Sequence, residues 1–275
     1  MKVLLLWANN ANSPNLGVRA LSEGAASLVK AAWGPDVGIS FQDFGDGASG
    51  VSFGKAGVLG EVFLGTQPIS KRLAEFDLVF DTGAGDSFTD IYGLKRTVQI
   101  AFAQSRAHYL GIPVIMGPQT IGPFRTRLGR LLASRSLERM RVVMARDSAS
   151  MQASGDLGRW PDALASDLVF MLPAERVEKT REVVLNVSGL LWRKGNRHVD
   201  HLGYQGAVYK TIEYLLGSGR SVTLLAHVVG PPCGLSDRGA IDNDVPVLRH
   251  LESRFPSSTL EAVIPNTLQE ARRVL

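Results

Sequence analysis

The sequence predicts an α/β protein of two domains, each on a parallel sheet. Three observations predict it. Short apolar runs alternate with longer amphipathic stretches along the 275 residues. The runs are followed by turns rich in Gly, Asn and Asp. A polar, charged stretch at residues 173–182 interrupts the alternation once. Alternating strand and helix patterns favour parallel sheets covered by helices.

The elements follow in order. Residues 3–7 are an apolar run that feeds a polar turn over 9–17 and then a helix over 18–33. Residues 76–80 (FDLVF) form the next strand, followed by a glycine loop at 83–86 and a helix over 91–110 that ends at Gly111. A strand at 113–116 leads through the loop 117–123 to a helix over 125–140, and 141–145 (RVVMA) is another strand. Residues 168–172 close this block. Beyond the linker come a strand at 183–187, a helix over 205–216, a strand at 221–226, a Gly/Pro/Asp-rich loop at 229–244 and a helix over 245–255. The segment 266–275 starts a helix, with Asn266 in a capping position. These boundaries give domains at 1–176 and 177–275, the second with only about three strands.

Composition removes several classes. Hydrophobic residues make up 45% and charged residues 20%, with a net charge of +4 from 30 basic and 26 acidic residues. That small excess is compatible with an anionic ligand and gives no reason to expect nucleic acid. The single cysteine, Cys233, excludes a disulfide framework and fits a reducing cytoplasm. The opening MKVLLLW is too short for a signal core or a membrane span. No cysteine–histidine spacing suggests zinc, so no metal is expected. His108, His198, His201 and His250 have no motif around them and read as structural or solvated.

The string DTGAGDSF at residues 81–88 resembles the signature of ribokinase-type sugar kinases, where glycines shape an anion hole and the last Asp takes a proton from a sugar hydroxyl. In that family the string lies late in the chain; here it starts at residue 81. The same region resembles a second family over more of the chain. Ser87-Phe88-Thr89-Asp90-Ile91-Tyr92-Gly93 is similar to S-F-x-D-I-Y-G. Asn15-Leu16-Gly17-Val18 resembles N-x-G-D, with Val18 at the Asp position. Residues 117–124 (GPQTIGPF) resemble G-Q-x-I-G-P-F, residues 146–150 (RDSAS) R-D-x-x-S, and residues 167–170 (DLVF) D-x-x-F. Leu225-Ala226-His227 resembles a strand ending in histidine, with Asp242 and Asp244 as the acidic pair behind it. In this order the pieces resemble the polysaccharide pyruvyl transferases.

The resemblance implies two Rossmann-like domains facing each other across a cleft in the glycosyltransferase-B manner. It implies transfer of pyruvate from phosphoenolpyruvate to two hydroxyls of a cell-surface glycan or lipid-linked saccharide, with no cofactor beyond that co-substrate. The family continues with S-G-R-x-H after its final helix, and the sequence ends at Leu275 before such a motif; the expectation is a shortened second domain. For the donor, the candidates are Arg146, whose planar guanidinium suits a carboxylate, and Asn15, Gly17, Gly83 and Gly85, whose backbone N–H groups suit phosphate. For proton transfer they are His227, Asp86 and Asp90, with helix capping as the competing role for Asp86. Asp147 is expected to cap the next helix, and Gln119 to read acceptor hydroxyls.

The helix after Phe124 carries Arg125, Arg127, Arg130, Arg135 and Arg139, with Arg141 just beyond, over an apolar side of Leu128, Leu131, Leu132 and Met140. A solvated basic face and contact with an anionic membrane surface compete for it. The alternatives to the transferase are a sugar kinase and a binding remnant without turnover. Oligomeric state stays open.

Overall fold

The computed structural model describes residues 1–9, 13–174, 178–194, 200–230 and 242–275. The expected domain boundary at 176/177, together with His198 and Cys233, lies outside the described residues. The chain divides into two compact units, one of Met1–Asn12 with Val18–Pro173, the other of Ser13–Gly17 with Ala174–Leu275.

The first unit is a six-stranded parallel sheet. In chain order it comprises β1 (Lys2–Leu6), α1 (Leu16–Trp33), β2 (Gly38–Gln42), α2 (Lys55–Phe63), α3 (Pro68–Leu73), β3 (Leu78–Asp81), α4 (Leu94–Tyr109), β4 (Val114–Gln119), α5 (Arg127–Arg139), β5 (Val142–Ala145), α6 (Ser148–Gly155) and β6 (Ala163–Leu164). The strand order is β2-β1-β3-β4-β5-β6, every pairing parallel. Strand alternation sorts the core onto two faces. Leu4 and Leu6 of β1 join Ile100 and Ala103 of α4 and Leu137 of α5 on one face. Val3 and Leu5 join Leu21, Ala25 and Val29 of α1 on the other. Close approach of α1 depends on Gly24, where a Cβ would fall 2.1 Å from the Leu168 carbonyl oxygen.

In the second unit, β7 (Val183–Asn186), β8 (Val222–Leu225) and β9 (Leu260–Val263) form a parallel sheet in sequence order. Its helices are α7 (Gly189–Trp192), α8 (His201–Gly217), α9 (Val245–Arg254) and α10 (Leu268–Val274). Val208 and Ile212 of α8 and Val247, Leu248 and Leu251 of α9 pack with Val222 and Leu224 of β8. Both units are thus Rossmann-like α/β layers.

Three strands have no counterpart among the expected ones, and all three are edges: β2, β6 and β9. An edge strand buries less of itself, so its apolar signal is weak; β2 is GISFQ and mostly half-exposed. Helix α4 begins at Leu94 rather than Ile91, because Gly93 at φ 89° breaks the backbone ahead of it. The cap of α10 is Thr267 rather than Asn266. The Thr267 hydroxyl accepts from the Glu270 N–H, and the Glu270 carboxylate accepts from the Asn266 N–H, one residue before the cap.

Candidate functional site

In the first unit the strand order reverses between β1 and β3, since the chain steps from β1 to β2 on one side and then to β3 on the other. Ligands of open α/β sheets collect at the carboxyl ends beside such a reversal. The glycine turn after β3 lies there. Gly83, Ala84 and Gly85 hold φ of 52°, 49° and 83°, three left-handed residues in succession. Their N–H groups are spent inside the turn. Gly83 donates to Asp81 Oδ1 (2.7 Å), Ala84 to Thr82 Oγ1 (3.2 Å), Gly85 to the Thr82 carbonyl (2.9 Å), and Ser87 to the Gly83 carbonyl (2.8 Å). The expectation that Gly83 and Gly85 offer N–H groups to an anion is therefore corrected. Gly83 instead makes room for Gln119, whose Oε1 lies 1.3 Å from where a Cβ would stand. Gly85 lies along Arg146, with Nη1 3.8 Å from its would-be Cβ.

Gln119 is fully buried, and neither polar atom of its amide has a hydrogen-bond partner among the described residues. It is closed beneath the turn, so the expectation that it reads acceptor hydroxyls at the surface is corrected as well.

The other motif segments of this unit bind one another. Asp90 accepts from the Arg125 N–H (2.8 Å), the Thr126 N–H (2.7 Å) and the Thr126 hydroxyl (2.6 Å). Burial alone would raise its pKa, but these bonds outweigh it and hold the carboxyl below the usual range. A carboxylate so held is a poor proton acceptor, and the catalytic expectation for Asp90 gives way to a positioning role. Gly129 permits this approach, because a Cβ there would lie 2.5 Å from Asp90 Oδ2. Thr89 Oγ1 donates to the Pro123 carbonyl, and the Ile121 N–H donates to Ser150 Oγ. Asp147 caps α6 as expected, accepting from the Ser150 N–H at 2.7 Å. That bond, first among its influences, holds its pKa down.

Arg146 follows the carboxyl end of β5. Its Nη1 donates to Asp167 Oδ2 at 3.0 Å, and its Nε lies 3.7 Å from Asp147 Oδ2. The side chain remains 30% exposed. Asp167 also accepts from the Val169 N–H and so anchors the turn after it. This partner was not among the expected site residues, although its motif was in view. Asp86 is exposed and accepts from the Tyr92 hydroxyl at 2.8 Å. Since α4 starts after Gly93, Asp86 caps no helix, and its oxygens face outward.

Asp81 is the titratable group that sequence reading passed over. It ends β3 fully buried, and burial raises its pKa to about 6 against hydrogen bonds from Gln104 (2.8 Å), the Gly83 N–H and the Trp7 indole (3.0 Å). Its signal was an acidic residue closing the apolar run FDLVF.

In the second unit, residues 210 positions apart meet. The Gly17 N–H donates to Asn15 Oδ1 (2.9 Å) and to His227 Nε2 (3.2 Å), and the Leu16 N–H to the His227 carbonyl (3.0 Å). Gly17 is needed for this, since a Cβ would sit 2.7 Å from His227 Nε2. Asp244, 2% exposed, accepts from the N–H groups of His227 (2.8 Å), Val228 (2.7 Å) and Gly189 (2.7 Å). One carboxylate thus fixes the turn after β8, and the imidazole is left exposed. With Nε2 accepting, the neutral ring carries its proton on Nδ1. Asp242 is exposed at the end of the loop.

Helix α5 differs from the expected amphipathic pattern. It buries Gly129, Ala133, Ser136 and Leu137, while Leu128 (48%) and Leu131 (55%) are exposed among the arginines. The need to bring Gly129 against Asp90 sets that face. Among the described residues no group of three acidic, histidine or cysteine side chains suits a metal, and no helix is long and apolar enough to cross a membrane.

No curated protein matches the chain. The family model for polysaccharide pyruvyl transferase matches residues 15–262, a span that takes in the Asn15–Gly17 turn, the glycine turn, Arg146, His227 and Asp244. The chain belongs to the polysaccharide pyruvyl transferase family.

Proposed function

We propose that the protein transfers pyruvate from phosphoenolpyruvate to two hydroxyls of a glycan or lipid-linked saccharide, forming a cyclic ketal and releasing phosphate. The observation that carries this reading is Arg146. Its guanidinium stands at a strand end, pinned on one side by Asp167 and still open to solvent. A pinned planar fork is preorganised for the donor's carboxylate.

The chemistry needs three proton movements. The donor methylene gains a proton and becomes the methyl group of the product. One sugar oxygen adds to the adjacent carbon, a second displaces phosphate, and each loses its proton. His227, exposed after its strand, suits proton donation in its protonated form; on giving up the proton it returns to the neutral ring whose Nε2 accepts the Gly17 N–H. Asp86 suits acceptance of a hydroxyl proton, being exposed, with the Tyr92 hydroxyl donating to it. Reaction in the cytoplasm, at the inner face of the membrane, fits this donor and acceptor; exposed Leu128 and Leu131 beside Arg127 and Arg130 offer contact with anionic lipid. The kinase reading finds less support, since the turn that would form its anion hole has spent its N–H groups.

The test incubates the protein with glycan acceptors and phosphoenolpyruvate, and in parallel with ATP and magnesium, following phosphate release and the ketal methyl signal by NMR. Equimolar phosphate and ketal are expected. Phosphate transferred to the sugar from ATP, without any ketal, would overturn the reading.

A further inference from the structure

We infer that a pocket at the carboxyl ends of β1 and β2 binds one neutral sugar ring of the acceptor. Calling that ring part of the acceptor rests on the transferase reading; the pocket's affinity for sugar does not.

The cavity measures about 330 Å³ and is lined by Asn9, Ser40, Phe41, Asp43, Ser49 and Arg72, among others. Its walls are built in advance of any ligand. The Gln42 amide, fully buried, donates to the carbonyls of Asp43, Gly45 and Val51 and accepts from the Ser49 hydroxyl, so one side chain staples the whole loop over 43–51. On the other side Trp7 holds a left-handed φ of 60°, unusual for a bulky residue. Its indole is tied to Asp81 and stacks on Phe44 at 4.3 Å. The turn brings Ala8 across to β2, where its N–H donates to the Gln42 carbonyl. Backbone strain held this firmly is typical of ligand sites.

The lining selects the ligand. Arg72 lines the cavity, with its Nη1 donating to Glu75. Asp43 spends Oδ1 on the Gly45 N–H at 2.8 Å and keeps Oδ2. Arg72 is already paired with Glu75, and Asp43 adds a carboxylate, so the cavity carries no net positive charge, which disfavours phosphate or a second carboxylate. A lone carboxylate is too few ligands for a metal. The volume lies at the small end of ligand pockets, roughly 300–1,000 Å³, too small for a nucleotide. A sugar hydroxyl both donates and accepts, so neighbouring hydroxyls satisfy Asp43 and Arg72 together.

The pocket is separate from Arg146. Strands β1 and β5 are three places apart in the sheet, or about 14 Å at the usual strand spacing. The ring it holds is therefore a flanking sugar, not the one receiving pyruvate.

The experiment titrates the full chain with the methyl glycosides of galactose, glucose, mannose and N-acetylglucosamine, following binding by saturation-transfer NMR. At least one binds with a dissociation constant of about a millimolar or tighter. Ser40→Tyr, which fills the cavity, abolishes binding, and Asp43→Asn weakens it about tenfold, the effect of losing one charged hydrogen bond. Arg146→Gln leaves it unchanged. Absence of binding by all four glycosides overturns the proposal. So does binding that survives both Ser40→Tyr and Asp43→Asn. Loss of phosphoenolpyruvate binding with glycoside binding intact removes the transferase reading and leaves the pocket standing.

Discussion

At the carboxyl edge of the first sheet, the motif side chains are mostly occupied with one another. Asp90, Thr89 and Ser150 bind backbone of neighbouring loops, Asp147 caps its own helix, and the glycine turn satisfies itself. The second unit is arranged differently. One carboxylate, Asp244, takes three backbone N–H groups, and the turn it holds presents an exposed imidazole. The difference teaches that residues in family-like motifs divide into those that shape loops and the few that remain open for chemistry. In the first unit Arg146 and Asp86 stay open; in the second, His227 does.

The comparison breaks most visibly at Asp244. Asp244→Ala leaves three donors unpaired, one buried and two half-buried, and is expected to cost about 3–5 kcal/mol, at roughly 1–3 kcal/mol per orphaned group with partial rescue by water. Denaturant unfolding followed by the Trp192 fluorescence of that unit measures it. A cost under about 1 kcal/mol would mean the turn is held by something else.

The next effect belongs to Asp81 and depends on pH. Its folded pKa of about 6 lies above the unfolded value, so the native state holds this proton more tightly. The contribution to stability is full below about pH 4 and is lost as pH rises through 6. The stability of the native protein relative to Asp81→Asn should therefore fall by about 3 kcal/mol across that window, at about 1.4 kcal/mol per pKa unit. A flat difference would show that the carboxyl stays ionised.

Gly83 sharpens the account of the glycine turn. Gly83→Ala meets Gln119 Oε1 and adopts a left-handed φ, for an expected loss of about 2–3 kcal/mol. Pairing it with Gln119→Ala should recover the steric part, leaving about 1 kcal/mol from the backbone. Additive losses would contradict the packing role.

The smallest effect separates two aspartates of one motif region. Asp90→Asn should cost about 1–2 kcal/mol through its lost charged acceptor. Asp86→Asn, exposed, should cost less than about 0.5 kcal/mol yet lower turnover. Equal stability losses would erase the distinction between shaping and reacting residues.

The sequence made the central strands legible because β1, β3 and β4 are apolar runs buried on both faces. The edge strands β2, β6 and β9 escaped because exposed or half-exposed residues carry little periodic signal, whereas the edge strand β7 showed through its apolar run VVLNV. Arg146, His227 and Asp86 were legible as residues at strand or turn ends. The meeting of Gly17 with His227 was not legible, because no local pattern links positions 210 apart. What sequence could not give was occupancy. Whether Asp90 or Gln119 faces solvent depends on Gly129 and Gly83 allowing close approach, and that is a property of the packed loops.

The most direct test of the central claim is the affinity for phosphoenolpyruvate of the native protein, Arg146→Lys and Arg146→Gln, by isothermal titration. The account expects a loss of about tenfold for lysine, which keeps charge without the fork. For glutamine it expects about a hundredfold, in line with about 1.5–3 kcal/mol for charged hydrogen bonds. Unchanged affinity in Arg146→Gln, with the fold intact, would contradict it.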